Sequence, residues 1–150
     1  MSRHQSRGFS LIELLITLVV IGVIAAISRP NLMAAIDKGK QKRTMADLRS
    51  IGTAVEAYAV DNSKYPVASD ASTLALTISG SSSFVKVMPQ LDGWDHPFVV
   101  DSEATAYTIS SSGKDGAPSG CVIGTLTTRF DQDICFSHGQ FIQYPVGPQD

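Results

Sequence analysis

Glu13 is the only charged residue between Phe9 and Ile27. On insertion scales a carboxylate at the centre of a lipid-embedded helix costs about 2.5–3.5 kcal/mol. An acid kept in such a place needs a cation to answer it, and the apolar run offers none. Other residue types with chemical reach lie far downstream. Asp115, Asp131 and Asp133 could supply oxygen ligands to Ca²⁺, although Asp115-Gly116 equally makes a turn. Cys121 and Cys135 enclose 13 residues. Outside the cytoplasm they are expected to be oxidised, and a loop of that size gains about 3 kcal/mol from closure; the alternative is two buried free thiols. No second Cys pair or zinc-spaced His accompanies them, and His96 and His138 lack partners for a catalytic set.

The elements that must carry these residues follow from composition and period. The chain has 150 residues and a formal charge of −2, enough for one modest domain plus an appendage, with no basic face to suggest nucleic-acid binding. The 19 residues from Phe9 to Ile27, as a helix, are roughly 28 Å long, which matches a bilayer's hydrocarbon core. Arg3 and Arg7 favour a cytoplasmic N-terminus. Lys38, Lys40, Lys42 and Arg43 vote the other way, and the short basic leader and the cysteine pair outweigh them.

Leu48, Ile51, Val55 and Tyr58 recur at spacings of three and four and predict one apolar stripe on a helix. A long helix is expected over residues 9–60, bent near Pro30, and ended by "DNSKYP". Gly22 and Pro30 lower helix propensity between them. Residues 67–83 read as a loop with a short helical turn around 71–78. Short β-type runs follow at 98–100, 107–109 and 140–142, separated by turn chemistry. The expectation is α+β, with the amphipathic half of the helix packed on a small antiparallel sheet. Trp94 and Pro97 are expected to pack the head against the helix.

The stretch "GFSLIE", residues 8–13, resembles the prepilin cleavage and methylation motif of type IV pilins and the pseudopilins of type II secretion. The likeness extends over residues 7–65, including Pro30, which matches that family's helix-kinking proline. It implies a leader of residues 1–8, a membrane-spanning and filament-core helix over 9–29, an amphipathic half over 30–62, and a globular head over 63–150. A prepilin peptidase is then expected to cut between Gly8 and Phe9 and to methylate the new amine. Glu13 would find its cation in a neighbouring copy's Phe9 amine, which sets the stagger between subunits.

The head carries a second likeness. "GWDHPF", "SSGKDG" and "DQDI" resemble motifs of the major pseudopilin of type II secretion. In that family a calcium ion is held by aspartates and backbone carbonyls. By position Asp115 and Asp131 match acidic ligands and Ser112 a carbonyl donor. The inserted "APSGCVIGTLTTRF" and the cysteine pair depart from the pattern.

The resemblance implies a structural subunit, not an enzyme, in a homopolymeric filament. Its implied partners are the prepilin peptidase, an inner-membrane assembly platform, minor pilins or pseudopilins, and membrane lipid before assembly. A secretion pseudopilus is favoured by the head motifs. The alternative, a surface pilus for adhesion, motility or DNA uptake, is favoured by the cysteines. The expected location is the bacterial inner membrane, single-pass with the head in the periplasm, then a periplasmic or extracellular filament. A membrane-tethered binding module that never polymerises is the reading from a different class.

Overall fold

The computed structural model describes residues 9–81, 87–147 and 149. The chain divides into two compact units, Met1–Ala35 and Ile36–Asp150. Helix α1, Leu11–Asn62, contributes to both.

In the first unit, α1 is apolar on every side. Leu11, Ile16, Leu18, Ile21, Ile24 and Ile27 are each more than half exposed. The segment is long and apolar enough to cross a membrane. Glu13 lies in its first turn, where an acid favours the helix dipole. The helix continues through Pro30, whose missing N–H leaves the carbonyl of Ala26 without its helical donor.

In the second unit the predicted stripe is the core. Leu48, Ile51 and Val55 are fully buried and Tyr58 nearly so. Full burial of each large aliphatic side chain contributes about 1.5–3 kcal/mol. The stripe begins earlier than its apolar residues suggest. Asp37, Gln41 and Thr44 extend it at the same alternating spacing, and all three are buried. The helix closes with Asn62 Nδ2 donating to Tyr58 O at 2.9 Å, followed by Ser63 at φ 55°.

Helix α2, Ala71–Ser81, is longer than the expected turn. Asp70 caps it, accepting from Thr73 N at 2.8 Å and from Thr73 Oγ1 at 2.7 Å. The Ser72 hydroxyl bond, and with it the two from Thr73, stabilise the charged carboxylate and pull its pKa down to about 2. Ala71, Leu74 and Ile78 turn into the core.

Five strands form one sheet: β1 Val99–Ser102, β2 Tyr107–Ser111, β3 Thr125–Thr127, β4 Ile134–Ser137 and β5 Gln140–Pro145, in the order β1-β2-β4-β5-β3. The expected antiparallel sheet is therefore mixed, because β3 pairs with β5 in parallel. The physical reason lies in the last hairpin. His138 and Gly139, at φ 47° and 75°, make a two-residue turn that sets β5 antiparallel to β4. The segment leading into β4 then reaches the free edge of β5 running the same way. Gln143 holds it there, accepting from Val122 N at 2.8 Å and donating to Asp133 O at 2.9 Å. Strands β3 and β4 were not expected; β3 is three residues long, and Cys135 and Ser137 dilute the apolar signal of β4.

Candidate functional site

Two regions hold the residues with chemical potential. The first is the start of α1. Gly8 lies outside the described residues. Phe9 is 75% exposed, and Glu13 is exposed on the first turn. Ser10 O accepts from Glu13 N at 3.1 Å and from Leu14 N at 3.3 Å, so the helix begins just after Phe9. Phe9 and Glu13 are four residues apart, in an exposed apolar segment.

The second region ties α1 to two turns of the head. Asp92 is fully buried and accepts from Trp94 N at 2.9 Å, His96 N at 3.0 Å and Ser111 Oγ at 2.6 Å. Both of its oxygens are therefore engaged, and the turn over 92–97 is fixed to β2. Thr44 Oγ1 accepts from Gly93 N at 2.8 Å. A Cβ on Gly93 would fall 2.3 Å from Lys40 O, so only glycine allows this approach to the helix backbone. Asp37 accepts from Trp94 Nε1 at 3.2 Å and from Lys114 Nζ at 2.8 Å. Burial pushes the Asp37 carboxyl up, but the Lys114 and Trp94 bonds outweigh it and hold the group below its ordinary range. Trp94 thus packs the head against the helix, as its sequence context suggests, and it does so through its N–H.

The calcium expectation names Ser112, Asp115 and Asp131. The fold brings their turns together: Lys114 N donates to Phe130 O at 2.8 Å, and Gly113, at φ 69°, packs on the backbone of 130–132. Ser112 is buried, while Asp115 is exposed and accepts from Ala117 N at 3.0 Å in its own turn. Asp131 pairs with Arg129 through one oxygen, and its other oxygen is buried without a partner. Asp133 holds Ser119 N and Gly120 N at 2.8 and 3.0 Å, and its second oxygen is likewise buried and unpaired. Among the described residues no three acidic, His or Cys side chains converge as a metal cage. The orphaned oxygens of Asp131 and Asp133 suit a hard cation, and Asp115 as placed does not.

Cys121 and Cys135 form a disulfide, with S–S 2.01 Å and Cα–Cα 5.9 Å. It pins the inserted loop to β4, where Cys135 is fully buried.

Sequence reasoning missed Asp37, Thr44 and Asp92 as anchors. It also missed Glu56, which accepts from Tyr107 Oη at 2.9 Å and from Tyr65 Oη at 3.4 Å. Burial and the Glu56 carboxylate both push the Tyr65 hydroxyl's pKa up. The usable signal for the helical residues was the three-four spacing that continues the apolar stripe backwards.

Residues 31–125 match a family described as type II secretion system (T2SS), protein G. Residues 3–28 match the prokaryotic N-terminal methylation motif. The chain is similar to type II secretion system core protein G of Klebsiella michiganensis, at 30% identity over 79% of this chain and 90% of that protein. The corresponding Escherichia coli K12 protein is 30% identical over 75% of this chain and 84% of its own length. The Pseudomonas aeruginosa one is 28% identical over 77% and 91%. No solved structure gives a significant match.

Proposed function

The chain belongs to the type II secretion system protein G family, and from that premise we propose that it is a pseudopilus subunit acting in protein export. The family match favours this over the surface-pilus alternative. The observation that carries the polymer reading is the first unit, a helix whose large apolar side chains are exposed, with one acid at its start. Lipid covers that surface before assembly, and copies of the same helix cover it in the filament.

Processing after Gly8 supplies the cation that the sequence lacks. In the proposed mechanism the Phe9 amine of one copy comes beside Glu13 of the next. The Coulomb gain is largely offset by desolvation, so the pair contributes little net stability. Its work is selection: a stagger that leaves Glu13 unpaired in an apolar core is penalised, and the stagger that pairs it is not. The prepilin peptidase, an inner-membrane assembly platform and minor pseudopilins complete the partners. The head faces the periplasm in this reading, which suits the disulfide.

A calcium ion is proposed at the turns over 112–115 and 131–133. Asp131 and Asp133 would supply carboxylate oxygens and Ser112 a carbonyl, and Asp115 would have to leave its own turn to join them. When bound, the ion would neutralise the two orphaned buried oxygens. A rise in melting temperature with calcium over EGTA, abolished by Asp131→Asn with Asp133→Asn, is the expected result; no shift removes the site.

Deleting the gene and assaying exported proteins and surface filaments separately tests the function. Loss of export with surface filaments intact is expected. Intact export with lost surface filaments would move the chain to the pilus alternative. Mass spectrometry of the mature chain should find a methylated Phe9 terminus; an uncut leader would favour the plain tether.

A further inference from the structure

We propose that neighbouring copies dock through two different charged surfaces of the head unit. The basic stripe Lys38, Lys42 and Arg49 on α1 of one copy would meet the acidic hollow of Asp101 and Glu103 on the next. This rests on the filament reading above and specifies which head surfaces meet.

The stripe follows from helix geometry. Spacings of four and seven place the three side chains within about 40° of one another around the axis. All three are exposed. The guanidinium of Arg49 stands over the Phe141 ring, 5.4 Å from its centroid, which orients it. The stripe borders two shallow hollows of about 220 and 210 Å³, floored by Met45 and sharing Lys42. A complementary surface therefore has relief to enter as well as charge to meet.

The acidic surface is at the far edge of the sheet. A hollow of about 230 Å³ is lined by Asp101, Glu103, Ala106, Tyr107 and Thr108. Asp101 and Glu103 are two residues apart on an extended segment, so their carboxylates share a face. Both are exposed. The ion pairs among the described residues are Arg43–Asp47, Lys114–Asp37 and Arg129–Asp131, which use none of these five groups.

One chain cannot bring its own two surfaces together. β1 is an edge strand, and β5, which carries Phe141 beside the stripe, lies three strand positions away. At about 4.8 Å per strand that is roughly 14 Å across the sheet. A two-fold dimer through either surface would set like charges against each other. A head-to-tail contact satisfies both, and such a contact repeats without self-closure unless its rotation closes a ring. The charge layout of the chain runs the same way. Residues 38–43 hold four cations and no acid, whereas residues 44–150 hold 5 cations and 12 acids. The basic run that conflicts with simple topology counting thereby has a use outside the membrane.

The test is a charge swap in the full chain, produced with its peptidase and assembly platform, with filaments recovered from gently lysed cells and quantified. Lys42→Glu with Arg49→Glu, and separately Asp101→Lys with Glu103→Lys, should each cut filament yield at least fivefold. Combining all four should restore it to within about twofold of wild type. Since Arg49 also covers Phe141, Lys38→Glu with Lys42→Glu provides a second basic-side variant, and unchanged melting temperatures establish that each variant is folded. Wild-type yield from either reversed pair, or no recovery in the combination, overturns the docking. Loss from the basic reversal alone would assign the stripe to anionic lipid and also overturns it. If the wild-type chain itself gives no filament in this system, the filament reading fails first.

Discussion

The Nζ of Lys114 lies 2.8 Å from Asp37 Oδ2, across 77 residues of sequence. The same carboxylate accepts from Trp94, so one acid on α1 fastens two turns of the head.

Removing that acid should loosen both turns. Asp37→Ala leaves the Trp94 N–H without its acceptor and Lys114 without its counter-ion. A loss of about 1–2 kcal/mol is expected, the ion pair itself adding little because Lys114 is half exposed. The pH dependence has a definite sign. The carboxyl is held below 3.8, so its contribution is complete above that value and is lost as pH falls through the lower folded pKa. Thermal unfolding of the detergent-solubilised chain between pH 6 and pH 2 should show wild type and Asp37→Ala converging at the acid end. A constant gap between them would assign the effect to packing.

Glycines at two close approaches should resist enlargement. A Cβ on Gly52 would fall 2.1 Å from Phe136 Cε1, and one on Gly93 would fall 2.3 Å from Lys40 O. Gly52→Ala gains up to about 1 kcal/mol of helix propensity but overpacks a buried ring, costing about 1–3 kcal/mol. Gly93→Ala meets backbone, which has no rotamer to yield, and also threatens the bond to Thr44. Gly93→Ala is therefore expected to lower the melting temperature more than Gly52→Ala; the reverse order would contradict the packing described.

Reduction of Cys121–Cys135 should destabilise by about 3 kcal/mol, through the regained freedom of the intervening loop. The loop keeps other ties, from Asp133 to Ser119 N and Gly120 N and from Gln143 to Val122 N. Reduced protein should thus unfold at lower temperature yet remain folded at room temperature. Limited proteolysis with and without dithiothreitol reads this out, with faster cleavage inside residues 117–124 expected on reduction. An unchanged melting temperature would show the bridge to be energetically idle.

Much of this architecture is legible in the residues because apolar period and local motif speak the same language as burial. Leu48, Ile51, Val55 and Tyr58 were readable as a core stripe, and they are buried. The disulfide was readable from cysteine content and compartment. The segment just before the stripe was not, because its buried positions are polar. Asp37, Gln41 and Thr44 look solvated by composition, and each is buried because a partner distant in sequence satisfies it. The parallel β3–β5 pair was hidden for a different reason. Parallel or antiparallel pairing depends on which strand a segment reaches in space, and three residues of Thr-Leu-Thr carry no record of that. Asp115 and Asp131 were legible as acids in adjoining turns, but not the pairing of Asp131 with Arg129 or the unpaired oxygen of Asp133.

The central claim is that Glu13 selects the stagger of the filament by pairing with the processed terminus of its neighbour. Glu13→Gln keeps size and helix propensity and removes only the charge. Quantifying filaments recovered from gently lysed cells producing this variant, with N-terminal processing verified by mass spectrometry, measures the claim directly. At least a tenfold fall in filament yield with Phe9 correctly exposed is the predicted result. Wild-type yield with unchanged helical symmetry would contradict it.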